Sequence, residues 1–225
     1  MASLTLQRLI DRTPFLSRIV RQSTVFAVLQ ERKLARWVRA GRPHPPPNAL
    51  KQSTVRSYAN RFRCQVLVET GTYYGAMVLA MCHRFRRIYS IELDDFLYAR
   101  ASRMFSHAPH VRMLHGDSAE KLEIALSEIT ESALFWLDAH YSGPGTARAS
   151  RDTPIARELD LIFKHGVDTH VILIDDAHDF GRLPHYPTVA QVKSLVAKAK
   201  PDWQCEVADD IIRIHPPTSS DRRAE

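Results

Sequence analysis

No apolar run in the 225-residue chain approaches the roughly 20 residues that span a bilayer, so the pattern contains no transmembrane helix. The first residues also lack the uninterrupted apolar stretch of a secretory signal. Only three cysteines occur, Cys64, Cys82 and Cys205, far apart and odd in number, which argues against a disulfide framework or a cysteine zinc site. A reducing cytoplasm is the expected setting. Neither G-x-G-x-x-G nor G-x-x-x-x-G-K-[ST] is present, which removes two common phosphate-cradling loops. Acids are nearly missing from the front of the chain: residues 1–63 hold 13 of the 31 Lys+Arg and 2 of the 25 Asp+Glu, a charge of +11. The remainder carries 18 cations against 23 anions, or −5, so the overall +6 is a property of one end.

What is there is ordinary globular composition, 44% hydrophobic and 25% charged, enough for one sizeable core with an appendage. In the basic front segment, Leu4, Leu9, Phe15, Leu16, Ile19, Val25, Phe26, Leu29, Leu34 and Trp37 recur at helical spacing among arginines, which predicts two or three amphipathic helices. Such a segment, residues 1–40, suits a membrane surface, a lid over a substrate, a partner or second copy of the chain, or simple packing on its own domain. GRPHPPP at 41–47 cannot continue a helix and is stiff and extended. The expected organisation is therefore an extension over 1–47, a main domain over 48–217 and a polar tail over 218–225. A helix expected over 49–63 opens the main domain, packed at the sheet edge.

The main domain is organised around VLVETGTYYG, residues 66–75. Val66, Leu67 and Val68 form the continuous apolar run of a strand covered on both faces. Glu69 ends it, and Gly71 and Gly75 bracket the loop that opens a helix. Helices are predicted over 76–85, 96–105, 119–129, 154–163 and 189–199, alternating with strands over 87–92, 111–114, 133–137 and 171–174. Residues 204–207 and 211–214 read as a closing hairpin. This is an α/β pattern: a Rossmann-like, doubly wound, mostly parallel seven-stranded sheet with a C-terminal antiparallel hairpin. Ligands of such sheets bind outside the carboxyl ends of the strands. Here those ends carry Glu69, Glu92, Asp117, Asp138 and the Asp175/Asp176 pair. Glu92, 23 residues beyond Glu69, is placed to bind the two hydroxyls of a ribose. Asp117 and Ser118 are placed for an adenine edge, and the Glu69 loop for an aminoacyl tail. Together these describe S-adenosylmethionine.

With these motifs the chain resembles the class I S-adenosylmethionine-dependent methyltransferases over about residues 49–215. E-x-G-x-Y-x-G at Glu69, Gly71, Tyr73 and Gly75 is similar to the first motif of the catechol and caffeoyl-CoA O-methyltransferases, and bacterial sugar O-methyltransferases share the acidic pair after the fifth strand. The resemblance implies Asp138 as cofactor neighbour and catalytic residue, and Asp138, Asp175 and Asp176 as ligands of Mg²⁺, a hard ion suited to carboxylates. It implies O-methylation of a hydroxyl on a small or sugar-containing acceptor. One feature departs from the catechol-type pattern, where a lysine follows the first metal acid by three residues: this chain has Tyr141. His140 is the first choice of base in its place, with His178 second, because a neutral imidazole accepts a proton near pH 7. The loop over 141–153 carries Arg148 and Arg151, which suit an anionic or sugar-bearing acceptor. Two other classes stay open. One is nucleic-acid methylation using the basic arm, although Asp138 does not stand in an N/D-P-P-Y/F motif; the other is cofactor binding without turnover.

Overall fold

The computed structural model describes residues 24–138, 154–183 and 186–218. The first of the expected N-terminal helices, the loop over 141–153, His140 and most of the polar tail lie outside these residues.

Apolar runs alternate with amphipathic segments along the chain. The elements are α1 (Thr24–Arg39), α2 (Asn48–Arg61), β1 (Val66–Thr70), α3 (Ala76–Met81), β2 (Arg87–Glu92), α4 (Asp95–Met104), β3 (Val111–His115) and α5 (Ser118–Ser127). They continue as β4 (Ala133–Leu137), α6 (Ile155–Lys164), β5 (Val171–Ile174), a 3₁₀ turn (Ala177–Asp179), α7 (Val189–Ala199), β6 (Gln204–Ala208) and β7 (Ile211–His215). Among the described residues no helix is long and apolar enough to cross a membrane.

The strands form one sheet in the order β3-β2-β1-β4-β5-β7-β6. β1 to β5 run parallel, β7 pairs antiparallel with β5, and β6 with β7. The strand order reverses between β1 and β4, where Glu69 is level with Trp136 and Thr70 with Leu137. A crevice opens at that point because the crossovers leaving the two strands go to opposite sides.

Because side chains alternate across a strand, each apolar run feeds two cores. Val66, Val68, Phe135, Leu137, Ile172 and Ile174 pack with α5, α6 and α7 on one face. Leu67, Ile88, Leu134, Trp136 and Leu173 pack with α2, α3 and α4 on the other. The edge position expected for α2 is thereby corrected: its Val55, Tyr58 and Ala59 lie on the sheet face. The reason is that α3 stops at Met81, short of the expected 85, and its six residues leave the centre of that face uncovered. α2 covers it.

The proline-rich stretch before α2 is docked. Pro46 and Pro47 are buried. Arg42 donates to Asp209 at 2.8 Å, and the His44 ring pairs with Asp210 at 3.0 Å. Both acids sit in the β6–β7 turn with positive φ, 53° and 65°, as a two-residue hairpin turn of the right twist requires. The start of α2 is thus fixed from upstream as well as from beneath.

Candidate active site at the carboxyl ends of the strands

β1 ends into a loop with φ of 82° at Gly71, 50° at Tyr73 and 73° at Gly75. Three left-handed residues in five coil the backbone tightly. The N–H groups of Gly71 and Thr72 donate to Ile91 O at 3.0 and 3.1 Å, tying the loop to β2. Gly75 is the N-cap of α3, and a Cβ there would lie 3.0 Å from the ring of Phe105, the C-cap of α4, so this glycine makes room for that ring. Arg100, buried, donates to Tyr74 O at 3.1 Å and lies over the Tyr74 ring.

Glu92 terminates β2 with both oxygens engaged by backbone: Tyr73 N donates to Oε2 at 2.7 Å and Asp94 N to Oε1 at 3.0 Å. Burial raises its pKa, opposed by those N–H groups. Glu69 lies deeper, 2% exposed, and accepts from Ser90 Oγ. Thr72 Oγ1 and Ser90 Oγ lie 2.6 Å apart, and either hydroxyl can be the donor, so the two extend the hydrogen-bonded chain from Glu69 into the loop. Burial pushes the Glu69 carboxyl up to about 8, with Asp138 and Glu92 adding to the shift and Ser90 opposing it.

That shift has a sign. The folded chain keeps a proton on Glu69 that the unfolded chain loses above its ordinary 4.5, so this contribution to stability is full below about 4.5 and declines until about 8. Urea titrations across that window are expected to show stability falling more steeply for the wild type than for Glu69→Gln. Parallel slopes for the two proteins would contradict it.

Asp138 follows β4, its N–H donating to Thr70 O at 3.0 Å and Thr70 Oγ1 at 3.3 Å. Asp175 follows β5, its N–H donating to Leu137 O at 3.0 Å. Asp176 adopts φ 50°, turning the chain out of the strand, and its N–H donates to Asp175 Oδ1 at 2.9 Å. These three acids come together, with one oxygen of each lying within 4.8 Å of the others. Asp117 instead caps α5, accepting from Ala119 N at 3.0 Å, and Ser118 is buried beside it. His178 is not brought to the acid trio: its Nδ1 faces Asp210 Oδ2 at 2.8 Å and its ring stacks on His44 at 4.8 Å.

Sequence reasoning missed Lys51. It projects from the first turn of α2 and its Nζ makes a close ion pair with Asp175 Oδ2 and lies 3.4 Å from Asp176 Oδ1. Burial alone would lower its pKa, but Asp175, Asp138 and Asp176 outweigh that and hold it above the ordinary lysine range. Asp175 is itself raised, chiefly by burial, with Lys51 opposing. A signal existed: Lys51 shares a helical stripe with the buried Val55, Tyr58 and Ala59, so it points inward with them. Lys51, Gln52, Glu69, Gly71, Trp136 and Asp138 line a cavity of about 180 Å³.

No protein-family model matches the chain, and no curated protein matches its sequence. Solved structures do match. An O-methyltransferase from Bacillus cereus in complex with SAH is 14% identical, with a TM-score of 0.56 over 83% of this chain and 90% of its own. TomG, an O-methyltransferase from Streptomyces achromogenes involved in tomaymycin synthesis and solved with SAM, is 14% identical, with a TM-score of 0.55 over 84% of this chain and 89% of its own. The SAH-bound methyltransferase PaMTH1 from Podospora anserina is 16% identical, with a TM-score of 0.54 over 96% and 97%. The seven-stranded mixed sheet described above is the fold that these methyltransferases share.

Proposed function

We propose that the chain is an S-adenosylmethionine-dependent methyltransferase that acts on a hydroxyl of a small or sugar-containing acceptor. One observation carries the reading: the coiled glycine loop, Glu69, Glu92 and the acid trio converge on one crevice where the strand order reverses. The SAM and SAH named for structural neighbours support it.

In this reading Glu92, held in place at the end of β2 by backbone N–H groups, receives the ribose diol. Glu69 and the loop receive the aminoacyl end, and Asp117 and Ser118 the adenine edge. When bound, S-adenosylmethionine would supply a methyl already activated on its sulfonium, and Asp138 would take the proton of the acceptor hydroxyl whose oxygen receives that methyl. The sulfonium is already an activated leaving group, so alignment is the main task of the protein.

The resemblance implies Mg²⁺ on Asp138, Asp175 and Asp176. Their donor chemistry suits a hard cation, but Lys51 Nζ touches Asp175 and approaches Asp176 in the same space. As arranged, the trio fits an ammonium and not a second cation, and the steps above use none.

Calorimetric titration of the full chain with S-adenosylmethionine and S-adenosylhomocysteine is expected to give one site per chain, followed by methyl transfer to members of a phenol and sugar panel. Absence of binding by either nucleoside would overturn the proposal. Binding without transfer to any acceptor would favour a silent cofactor binder.

A further inference from the structure

The geometry points to Lys51 as a tethered cation, supplied by α2, that occupies the acid trio and closes it to divalent metal. This deepens the proposed function and rests on it for its catalytic meaning, while the ion-binding claim stands on the trio alone.

The first support is position. The ammonium lies against the same two acids of β5 that the metal would use, touching Asp175 and 3.4 Å from Asp176 Oδ1. A magnesium-type ion sits about 2.1 Å from each carboxylate oxygen. An ion at that distance from the oxygen already held by Lys51 would share its contact shell with a positive nitrogen. Either the ion or the ammonium has to leave.

The second support is that Lys51 is held in place. Its side chain is 15% exposed and that of Asp175 is fully covered. α2 cannot slide to withdraw it, because Gln52 Nε2 donates to Ala76 O at 3.3 Å, Tyr58 donates to Glu206 Oε1 at 3.2 Å, and Val55 and Ala59 are in the core. Upstream, Arg42 and His44 fasten the chain to the β6–β7 turn. If the lysine swung into water, Asp175 would be left buried beside two other carboxylates, an arrangement costly for any of them to keep ionised. The pair is therefore self-sufficient: the acids need a cation, and the chain brings one.

The consequence for the reaction is that an acceptor oxygen at the trio meets a hydrogen-bond donor of fixed direction in place of a Lewis-acidic ion. Lys51 acts there as a positioning and charge-balancing group for the transfer to Asp138.

The test uses Mn²⁺ as the probe, with free ion counted by electron paramagnetic resonance at one pH. Wild type and Lys51→Arg, which keep a tethered positive charge, are expected to bind Mn²⁺ at least tenfold more weakly than Lys51→Met. The gain in Lys51→Met should disappear when Asp176→Asn is added. Lys51→Gln, which retains a donor to Asp175, replaces Lys51→Met if the latter does not fold. Tight stoichiometric Mn²⁺ binding by the wild type that is lost in Asp176→Asn would overturn the inference, and so would the absence of any gain in the neutral Lys51 variants. S-adenosylmethionine titrated into the same samples separates the two claims: wild type that fails to bind it would sink the proposed function and leave the Mn²⁺ comparison standing.

Discussion

Glu92→Ala is expected to weaken S-adenosylmethionine binding by about a hundredfold or more, from the loss of ribose contacts worth roughly 1.5–3 kcal/mol each. Two effects combine. The carboxylate that would accept the diol is gone, and the backbone N–H of Tyr73, held at 2.7 Å by Oε2, loses its partner. Tyr73 has φ 50°, a conformation that a bulky residue keeps only when its surroundings impose it. The loop over 71–75 therefore loosens along with the ribose site. Glu92→Gln keeps an acceptor for one of the two N–H groups and should lose less. Calorimetry on the three proteins decides it, with circular dichroism confirming that the sheet persists. Equal affinities would remove Glu92 from the cofactor site.

The largest effect on stability is expected at Trp136. Its side chain is 1% exposed, sits in β4 level with Glu69 of β1 and Leu173 of β5, and packs in the core that α2 covers. Truncation to Ala leaves a cavity that the rigid sheet cannot collapse into, at a cost of about 3–5 kcal/mol. Urea unfolding should show the midpoint displaced accordingly. Because Trp136 also walls the cavity beside Lys51 and Asp138, cofactor affinity should fall with it. A change below ~1 kcal/mol would mean that α2 does not cover β4 in solution.

The parallel sheet was readable because strands buried on both faces are written as uninterrupted apolar runs, and because an acid follows nearly every one of them. ALFWL and VILI have no other economical reading. The acid trio was readable for the same reason, since β4 and β5 are neighbours and their first polar residues must emerge side by side. The placement of α2 was not. Periodicity tells which side of a helix is buried but not which surface it is buried against, and that depended on α3 ending at Met81. Lys51 escaped notice because a lysine on an apolar stripe carries no local clue to its partner. His178, the second choice of base on the chemistry of its imidazole, is turned elsewhere by the buried Asp210 of the β6–β7 turn, which receives its backbone N–H and faces its ring.

The ion pair of Lys51 with Asp175 joins residues 124 positions apart. Closing so long a segment has an entropic cost that must be met before the contact returns anything, and topologies dominated by such contacts fold slowly. A growing chain completes β1, its glycine loop and Glu92 early, yet holds Lys51 without counter-ions until β4 and β5 have joined the sheet. Competence at this site therefore arrives late and all at once, as a property of the finished sheet and not of its first half.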